Sequence, residues 1–496
     1  MDAVIISDKP MTLDELRAAV AGAAVSLAPE ARGRIDRSHA VVKDALDAGE
    51  PVYGLNTDVG HGKDTAVPPH ERQRRQEALV MTHGGAYGPP LPTEVVRAAL
   101  VVRINGMARG GSGASPDAVD ALVGLLNAGV HPVVPGTGSV GAGDLAPMAC
   151  IAQVAIGEGW AEYDGETLPG AEALRRASLG ALQLQGRDGL ALVAANGISL
   201  GHAALLIGRI ARVVEAADVA MAASMEAARA NPSIVQAPVG SAKPYPGQRA
   251  CAEHLRDLLD GSFLHQPDGP RSVQDPISFR VVPQVHGALR DHIDATISTL
   301  EAELNAMCDN PLVDVDSGRL ISNGNFHPIM PALALDSLRV ALAHAGQLSD
   351  RRLNHLWSAA MQPGSGDEQA TRVPGLGDSP GMQLRYAASA AFTELRLLAA
   401  PATLDSSVLD LGVEDHATGA PLAAAKTAAA LELLEDILAI ELLLAADVQA
   451  LDPAHGPSAG TAAALSLARE AADGAGSAAG THRRLRERFP ADAPGG

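Results

Sequence analysis

Aromatic side chains are scarce in this chain: Phe, Tyr and Trp together make up 2% of its 496 residues. Strands draw heavily on aromatic and β-branched residues, so the scarcity argues against a sheet-built core. Cysteine is scarcer still. Cys150, Cys251 and Cys308 lie far apart with no CxxC pair, which excludes a disulfide framework and a thiolate zinc site and fits a reducing compartment. Basic residues are outnumbered, 38 against 58 acidic, for a net charge of −20. That balance argues against a nucleic-acid or anionic-membrane partner. No window approaches about 20 uninterrupted apolar residues. The richest, Leu431 to Ala446, is broken by Glu432, Glu435, Asp436 and Glu441. Met1-Asp2-Ala3-Val4 lacks a basic segment leading into an apolar one, so no signal peptide is expected and the location read from the sequence is cytoplasmic.

Hydrophobic residues reach 47%, Ala and Leu prominent among them, a composition for closely packed helices. Thr12-Leu13-Asp14-Glu15 is a capping box opening a short helix. Helices are predicted from Pro29 to Asp47, closed by Gly49, from Glu71 to Thr82 and from Thr93 to Ala108. Another starts at Ser115-Pro116-Asp117 and ends at Gly129. A Gly-rich loop, Gly138-Ser139-Val140-Gly141-Ala142-Gly143, runs into a helix near Asp144. Beyond it the predicted helices are long: Ile198 to Ala230, Arg280 to Met307, Met330 to Ala360, Pro380 to Ala400, and His416 to Val448. One hairpin is predicted near 312–322, around Asp316-Ser317-Gly318, with Asp314 and Asp316 as turn formers and not calcium ligands. Ala491 to Gly496 reads as a frayed tail, and no internal repeat is present.

These elements predict a mainly α protein: a loop-rich N-terminal site domain, 1–197, and a long-helix bundle, 198–496. Five long Ala/Leu-rich helices are more than one isolated bundle would bury, so a homo-oligomer is expected. His61, His202 and His286 show no metal-ligand spacing, and no metal is expected.

Gly138 to Pro147 resembles the signature of the histidine and aromatic amino acid ammonia-lyases, Gly-Ser-Val-Gly-Ala-Ser-Gly-Asp-Leu-Ala-Pro, with one residue missing. In that family Ala-Ser-Gly cyclises to 4-methylideneimidazole-5-one (MIO), the electrophile of the reaction. Other segments match in order and spacing. Val52-Tyr53-Gly54-Leu55-Asn56-Thr57 is similar to the family's Tyr-Gly-Val-Asn-Thr loop, Thr82-His83-Gly84-Gly85 to Ser-His-Ala-Ala, and Gln274-Asp275-Pro276-Ile277-Ser278-Phe279-Arg280 to Gln-Asp-Pro-Tyr-Ser-Leu-Arg. Asp309-Asn310-Pro311-Leu312, Gly324-Asn325-Phe326-His327 and Glu414-Asp415-His416 complete the set.

The resemblance implies the ammonia-lyase (fumarase/aspartase-like) fold, a tetramer whose sites are shared between subunits, and a role for each matched residue. Tyr53 is implied as acid/base; otherwise it is a tyrosine packed at a loop base. A phenol with a pKa of roughly 10 is a poor base at neutral pH, so that role calls for a lowered pKa, which converging helix N-termini could supply. Arg280 would clamp a substrate carboxylate, or else form an ordinary salt bridge. Asn196 and Gln274 would hold the amino and carboxylate ends, although the segment before Asn196 is two residues longer than the family's. His83 and Glu414 are implied as the grip on a polar or cationic side chain such as imidazole; the alternatives are a core histidine and a structural ion pair. Phe326 is implied at the substrate pocket. Ile277 replaces a tyrosine placed near the amine.

Ala142 and Gly143 adjoin, without the serine. From this we expect no MIO and no other cofactor, and ordinary deamination is disfavoured because an amine on saturated carbon leaves poorly. The expected activity is therefore a MIO-free elimination, conjugate addition or isomerisation on a small amino-acid-derived or carboxylate substrate. Two alternatives stand beside it: a non-catalytic binding homologue or partner subunit, and a histidine ammonia-lyase-like enzyme whose gene encodes a serine that this sequence omits.

Overall fold

The computed structural model describes residues 2–361, 380–404 and 406–489. It is 62% helical with little strand. The tail from Ala491 to Gly496 lies outside the described residues. The chain divides into two compact units, and neither is continuous in sequence. The first takes residues 1–206, 297–335 and 402–425; the second takes 207–296, 336–401 and 426–496. The single boundary expected at 197 is corrected accordingly: segments near 320 and 414 belong with the N-terminal residues because their contacts are there.

In the first unit, Thr93–Ala108 forms a helix whose apolar residues are buried almost throughout. Its one buried cation, Arg103, is neutralised by buried Asp309 at 2.7 Å. The capping box forms as expected: Thr12 accepts from the Glu15 amide and Glu15 accepts from the Thr12 amide. Pro29–Ala48 and Pro116–Ala128 begin on N1 prolines and end on Gly49 and Gly129, both left-handed. The Ser115 hydroxyl caps the latter helix and donates in turn to buried Asp188 at 2.7 Å.

The predicted hairpin pairs Leu312–Asp314 with Arg319–Ile321, register Leu312 opposite Ile321. The Asp314 carboxylate is spent on the turn, accepting from the Ser317 hydroxyl at 2.6 Å. Three further small sheets were not predicted: Val4–Ile6 with Val25–Leu27, Tyr87–Pro90 with Pro135–Thr137, and Trp160–Tyr163 between His131–Pro132 and Glu166–Pro169. The Trp160–Tyr163/Glu166–Pro169 hairpin turns on Asp164-Gly165, both with positive φ, the geometry that Asp-Gly favours in two-residue turns.

In the second unit the helix Ala420–Ala450 supplies the centre from Lys426 onward. Leu431, Leu434, Ile437, Leu438, Leu442 and Leu444 are all buried, so this helix is apolar on every side and lies inside a bundle. Two of the acids that interrupt it, Glu435 and Glu441, are buried and paired. Glu441 binds the Arg352 guanidinium at 2.5 and 2.9 Å and accepts from the Ser224 hydroxyl at 2.7 Å. Glu435 receives Arg486 at 2.7 Å and also Arg209. The stretch Asp188–Ala228 is long and apolar enough to cross a bilayer, but 83% of its apolar window is buried within the protein.

Candidate active site

A cavity of about 1000 Å³ opens in the first unit. Tyr53, His61, His83, Ala142, Gly143, Phe326, Asp410, Glu414 and His416 line it. Six of the ten residues expected at a site therefore meet on one surface: Tyr53, His83, Ala142, Gly143, Phe326 and Glu414.

Tyr53 sits in a loop tied down by Asn56, which accepts from the Val52 amide at 2.7 Å and donates to Glu50 O at 2.7 Å. Buried Gln76 donates to Gly54 O, and Gly54 has φ +65; a Cβ there would collide with Leu190. The Tyr53 hydroxyl accepts from the Gly60 amide at 3.0 Å. An acid/base role calls for a lowered pKa; within this chain the shift runs the other way. Burial pushes it up, the Gly60 hydrogen bond opposes, and the charges of Glu414, Asp410 and Asp58 add to the rise.

His83 ends the helix Arg72–His83, and its Nδ1 lies 2.8 Å from Leu79 O. A carbonyl can only accept, so Nδ1 carries a hydrogen, and in the neutral imidazole Nε2 is then the acceptor. The Glu414 carboxyl is pushed up by burial and by Asp410, while nearby His83 pulls it down. His416 Nδ1 lies 3.0 Å from His327 Nε2 on the same wall.

The Gly138–Gly143 loop is fixed from two directions. Asp144 is fully buried and accepts from the Ser139 hydroxyl at 2.9 Å and from the Ser199 amide and hydroxyl, each at 2.7 Å. From the other side Thr418 donates to Gly141 O at 2.6 Å and the Gly419 amide to Val140 O at 2.9 Å. Gly141, at φ +84, leaves no room for a Cβ, which would lie 2.4 Å from the Thr418 hydroxyl. Asn196 is 5% exposed, and both its amide atoms lack a partner among the described residues. It follows Ala195, whose carbonyl accepts from the Asp144 amide at 2.8 Å, so it lies beside this loop without lining the cavity.

Gln274, Ile277 and Arg280 are elsewhere. They belong to the second unit, in an exposed segment leading into the short helix Ile277–Arg280. Ile277 is 61% exposed, and Arg280 forms no ion pair among the described residues. The alternative of an ordinary salt bridge for Arg280 finds no partner among the described residues.

His61, weighed from the sequence only as a metal ligand, and Asp410 are among the cavity residues not singled out from the sequence as site residues. Nδ1 of His61 and Oδ1 of Asp410 are 2.6 Å apart across 349 positions of sequence. The nearest approach to a metal-ligand set lies in the second unit, where Asp218 gathers Cys251, His254 and His286. There Arg290 binds Asp218 at 2.5 Å and supplies the positive charge.

Residues 11–470 match the aromatic amino acid lyase family. The chain belongs to that family. It is 40% identical over 503 residues to a histidine ammonia-lyase of Anaeromyxobacter sp. (strain K), covering 99% of this chain and 95% of the relative. It is 38% identical to that of Chloroflexus aurantiacus, covering 89% and 86%. Among solved structures it resembles the ergothionase of Treponema denticola, an ergothioneine degrading enzyme, with a TM-score of 0.91, 27% identity and coverage of 98% and 99%. The histidine ammonia-lyase of Trypanosoma cruzi gives 0.86, 30% identity, and coverage of 98% and 92%. The ammonia-lyase fold expected from the motifs is therefore the fold of this chain.

Membership corrects the expectation of no cofactor, because histidine ammonia-lyase catalysis depends on the MIO prosthetic group. The surroundings of the loop suit such a group, with a buried, unpartnered Asn196 amide beside it. The loop itself presents only Ala142 and Gly143, two of the three consecutive residues from which the family's ring forms. The relatives' chemistry does not support the expectation that ordinary deamination is disfavoured.

Proposed function

We propose that this chain is a carbon–nitrogen lyase acting on a small α-amino acid with an imidazole-like side chain. The observation that carries the reading is the meeting of His83, Glu414 and Tyr53 on one cavity. Nε2 of His83 accepts from a ring N–H, and the Glu414 carboxylate faces a ring that carries positive charge. Phe326 supplies an apolar contact, and the protonated Tyr53 hydroxyl gives a proton at Oη or holds one for transfer. Relatives named histidine ammonia-lyase support the substrate class, and a structural likeness to a phenylalanine aminomutase of Pantoea agglomerans supports elimination and its reversal as the reaction type.

Arg280, Gln274 and Ile277 enter the reading through assembly. An unpaired guanidinium on an exposed segment suits a carboxylate clamp that one subunit offers to another's cavity. Val273, 95% exposed, and Leu411, 89% exposed, are apolar surfaces that a homo-oligomer would cover.

A second reading rests on the likeness to ergothionase. A quaternary ammonium leaves as a neutral tertiary amine without needing a proton, and so asks less of the site than ammonia does. The test is to incubate the full-length protein with L-histidine, its Nα-trimethyl analogue, L-phenylalanine and L-tyrosine, following the conjugated acid and the released amine together. Release of equimolar acid and amine from the imidazole substrates alone is expected. Preference for L-phenylalanine would refute the side-chain assignment, and binding without release from any of the four would refute the lyase reading.

A further inference from the structure

Two short turns pack against one another at the cavity, Gly60–Gly62 and Asp410–Gly412. The first carries two consecutive amide donors. Gly60 N–H reaches the Tyr53 hydroxyl oxygen at 3.0 Å, and His61 N–H reaches Asp410 Oδ2 at 2.8 Å. Asp410 Oδ1 lies 2.6 Å from Nδ1 of His61, so one carboxylate grips both the backbone and the ring of a single residue. The second turn is closed at its base by Leu409 and Glu414, whose amides and carbonyls pair at 2.8 and 3.3 Å. Within it Asp410 and Leu411 adopt left-handed conformations, φ 46° and 54°. Residues with a Cβ rarely do so, and such strain persists where the surroundings impose it. The approach between the turns is close: a Cβ on Gly60, at φ +58, would fall 2.1 Å from Asp410 Oδ2. Position 60 has to be glycine for the carboxylate to reach the next amide.

A donor on Oη stabilises the phenolate, so the Gly60 amide makes the Tyr53 proton easier to give up. That help depends on where the turn holds the amide, and the neighbouring amide is held by Asp410. We propose that Asp410 is a positioning residue for Tyr53: it staples the Gly60–His61 peptide so that the Gly60 amide stays on Oη. This rests on the lyase reading above, in which Tyr53 exchanges that proton. The role runs against the charge of Asp410. A carboxylate near a phenol disfavours the phenolate, so by charge alone Asp410 keeps the proton on Tyr53, whereas by stapling it helps the proton leave. Of the two influences on Tyr53 the Gly60 bond is the larger. Glu414 and Asp58 also bear on the phenol by charge, and Arg75 pairs with Asp58 at 3.2 Å. His61, Lys63 and Asp64 on the Tyr53 loop, His83, His327, and Asp415 and His416 on the facing segment are the other titratable groups of this cavity.

The test follows Tyr53 ionisation directly, by fluorine NMR of the full-length protein with 3-fluorotyrosine in place of Tyr53. The labelled protein is compared with its Asp410→Asn, Asp410→Ala and His61→Ala variants. The pH profile of kcat on L-histidine and its Nα-trimethyl analogue is measured beside it in the unlabelled proteins. The Asp410 and His61 side chains are 24% and 65% exposed, so these changes leave the core intact. Asp410→Asn preserves both contacts, Oδ1 accepting from the His61 amide and Nδ2 donating to Nδ1 of the other imidazole tautomer. With the charge gone and the staple kept, Tyr53 should ionise at lower pH and turnover should be retained. Asp410→Ala loses both contacts. Tyr53 should then ionise about one pH unit higher, because a hydrogen bond to an ionised group is worth roughly ten-fold or more in its ionisation constant, and kcat should fall by a similar factor. His61→Ala keeps the amide contact and should fall between wild type and Asp410→Ala. Opposite shifts in the Asn and Ala variants distinguish stapling from a general loss of stability. If Asp410→Ala lowers the ionisation pH as Asp410→Asn does, Asp410 acts by charge alone; the proposal is overturned and the lyase reading stands. Ionisation at one pH in all four labelled proteins overturns it equally. Opposite shifts in a protein that turns over neither substrate support the staple and overturn the lyase reading.

Discussion

Arg352 and Glu441 form a fully buried pair in the second unit, and removing either partner strands the other charge. Arg352→Met leaves the Glu441 carboxylate with one neutral donor, the Ser224 hydroxyl at 2.7 Å. Breaking a buried pair in this way costs about 3–5 kcal/mol. Replacing both, as Arg352→Met with Glu441→Leu, removes the stranded charge and leaves mainly the lost Ser224 bond, about 1 kcal/mol. The double variant should therefore be more stable than Arg352→Met alone by at least 2 kcal/mol, a coupling of opposite sign to additivity. Arg352 also donates to Ser278 O at 3.1 Å, inside the short helix that carries Ile277 and Arg280. Restored stability should thus not restore substrate affinity: KM should stay raised in the double variant. Urea unfolding at one fixed protein concentration gives the stability differences, and initial rates give KM. Single variants within 1 kcal/mol of wild type, or a double variant equal to their sum, would refute the buried-pair reasoning.

Asp447 offers a pH test. Burial pushes its carboxyl up to about 7, well above the usual carboxylate range, while amides at Gly381 and Met382 pull the other way. The folded state then binds the proton more tightly, so stability should fall as pH rises from about 4 to about 7, and Asp447→Asn should flatten that fall. A variant and wild type with parallel stability curves across that window would contradict it. His83→Ala removes one acceptor for the substrate ring, so KM for L-histidine should rise about five-fold, about 1 kcal/mol, with a smaller effect on kcat. Gly141→Ala drives a Cβ into the Thr418 hydroxyl at a left-handed position and should destabilise the protein by about 2 kcal/mol or more. Scanning calorimetry showing an unchanged transition would count against the loop geometry.

The helices were legible because their ends are written in local chemistry. Thr93–Ala108 runs as expected, and Gly49 and Gly129 stop their helices where left-handed caps are needed. The acids in the apolar stretch Leu431 to Ala446 were read only as interruptions of it; that Glu435 and Glu441 are buried against Arg486 and Arg352 was beyond any local pattern. The strands of the other three sheets were missed because each is only two to four residues long, too short for alternation to register, although Asp164-Gly165 was a usable turn signal. At the site, the family motifs located Tyr53, His83 and Glu414, whereas His61 and Asp410 meet through tertiary folding across 349 positions. Tyr53 shows the remaining limit. Its residue type was read from sequence, but the direction of its pKa depends on burial and on three carboxylates brought in by the fold.

The most direct measurement of the central claim is release of amine and conjugated acid from L-histidine and its Nα-trimethyl analogue, compared between wild type and Tyr53→Phe. The account predicts equimolar release by wild type and a rate at least 100-fold lower for the variant, with substrate binding retained. Equal rates in the two proteins, or binding of both substrates by wild type with no product, would contradict it.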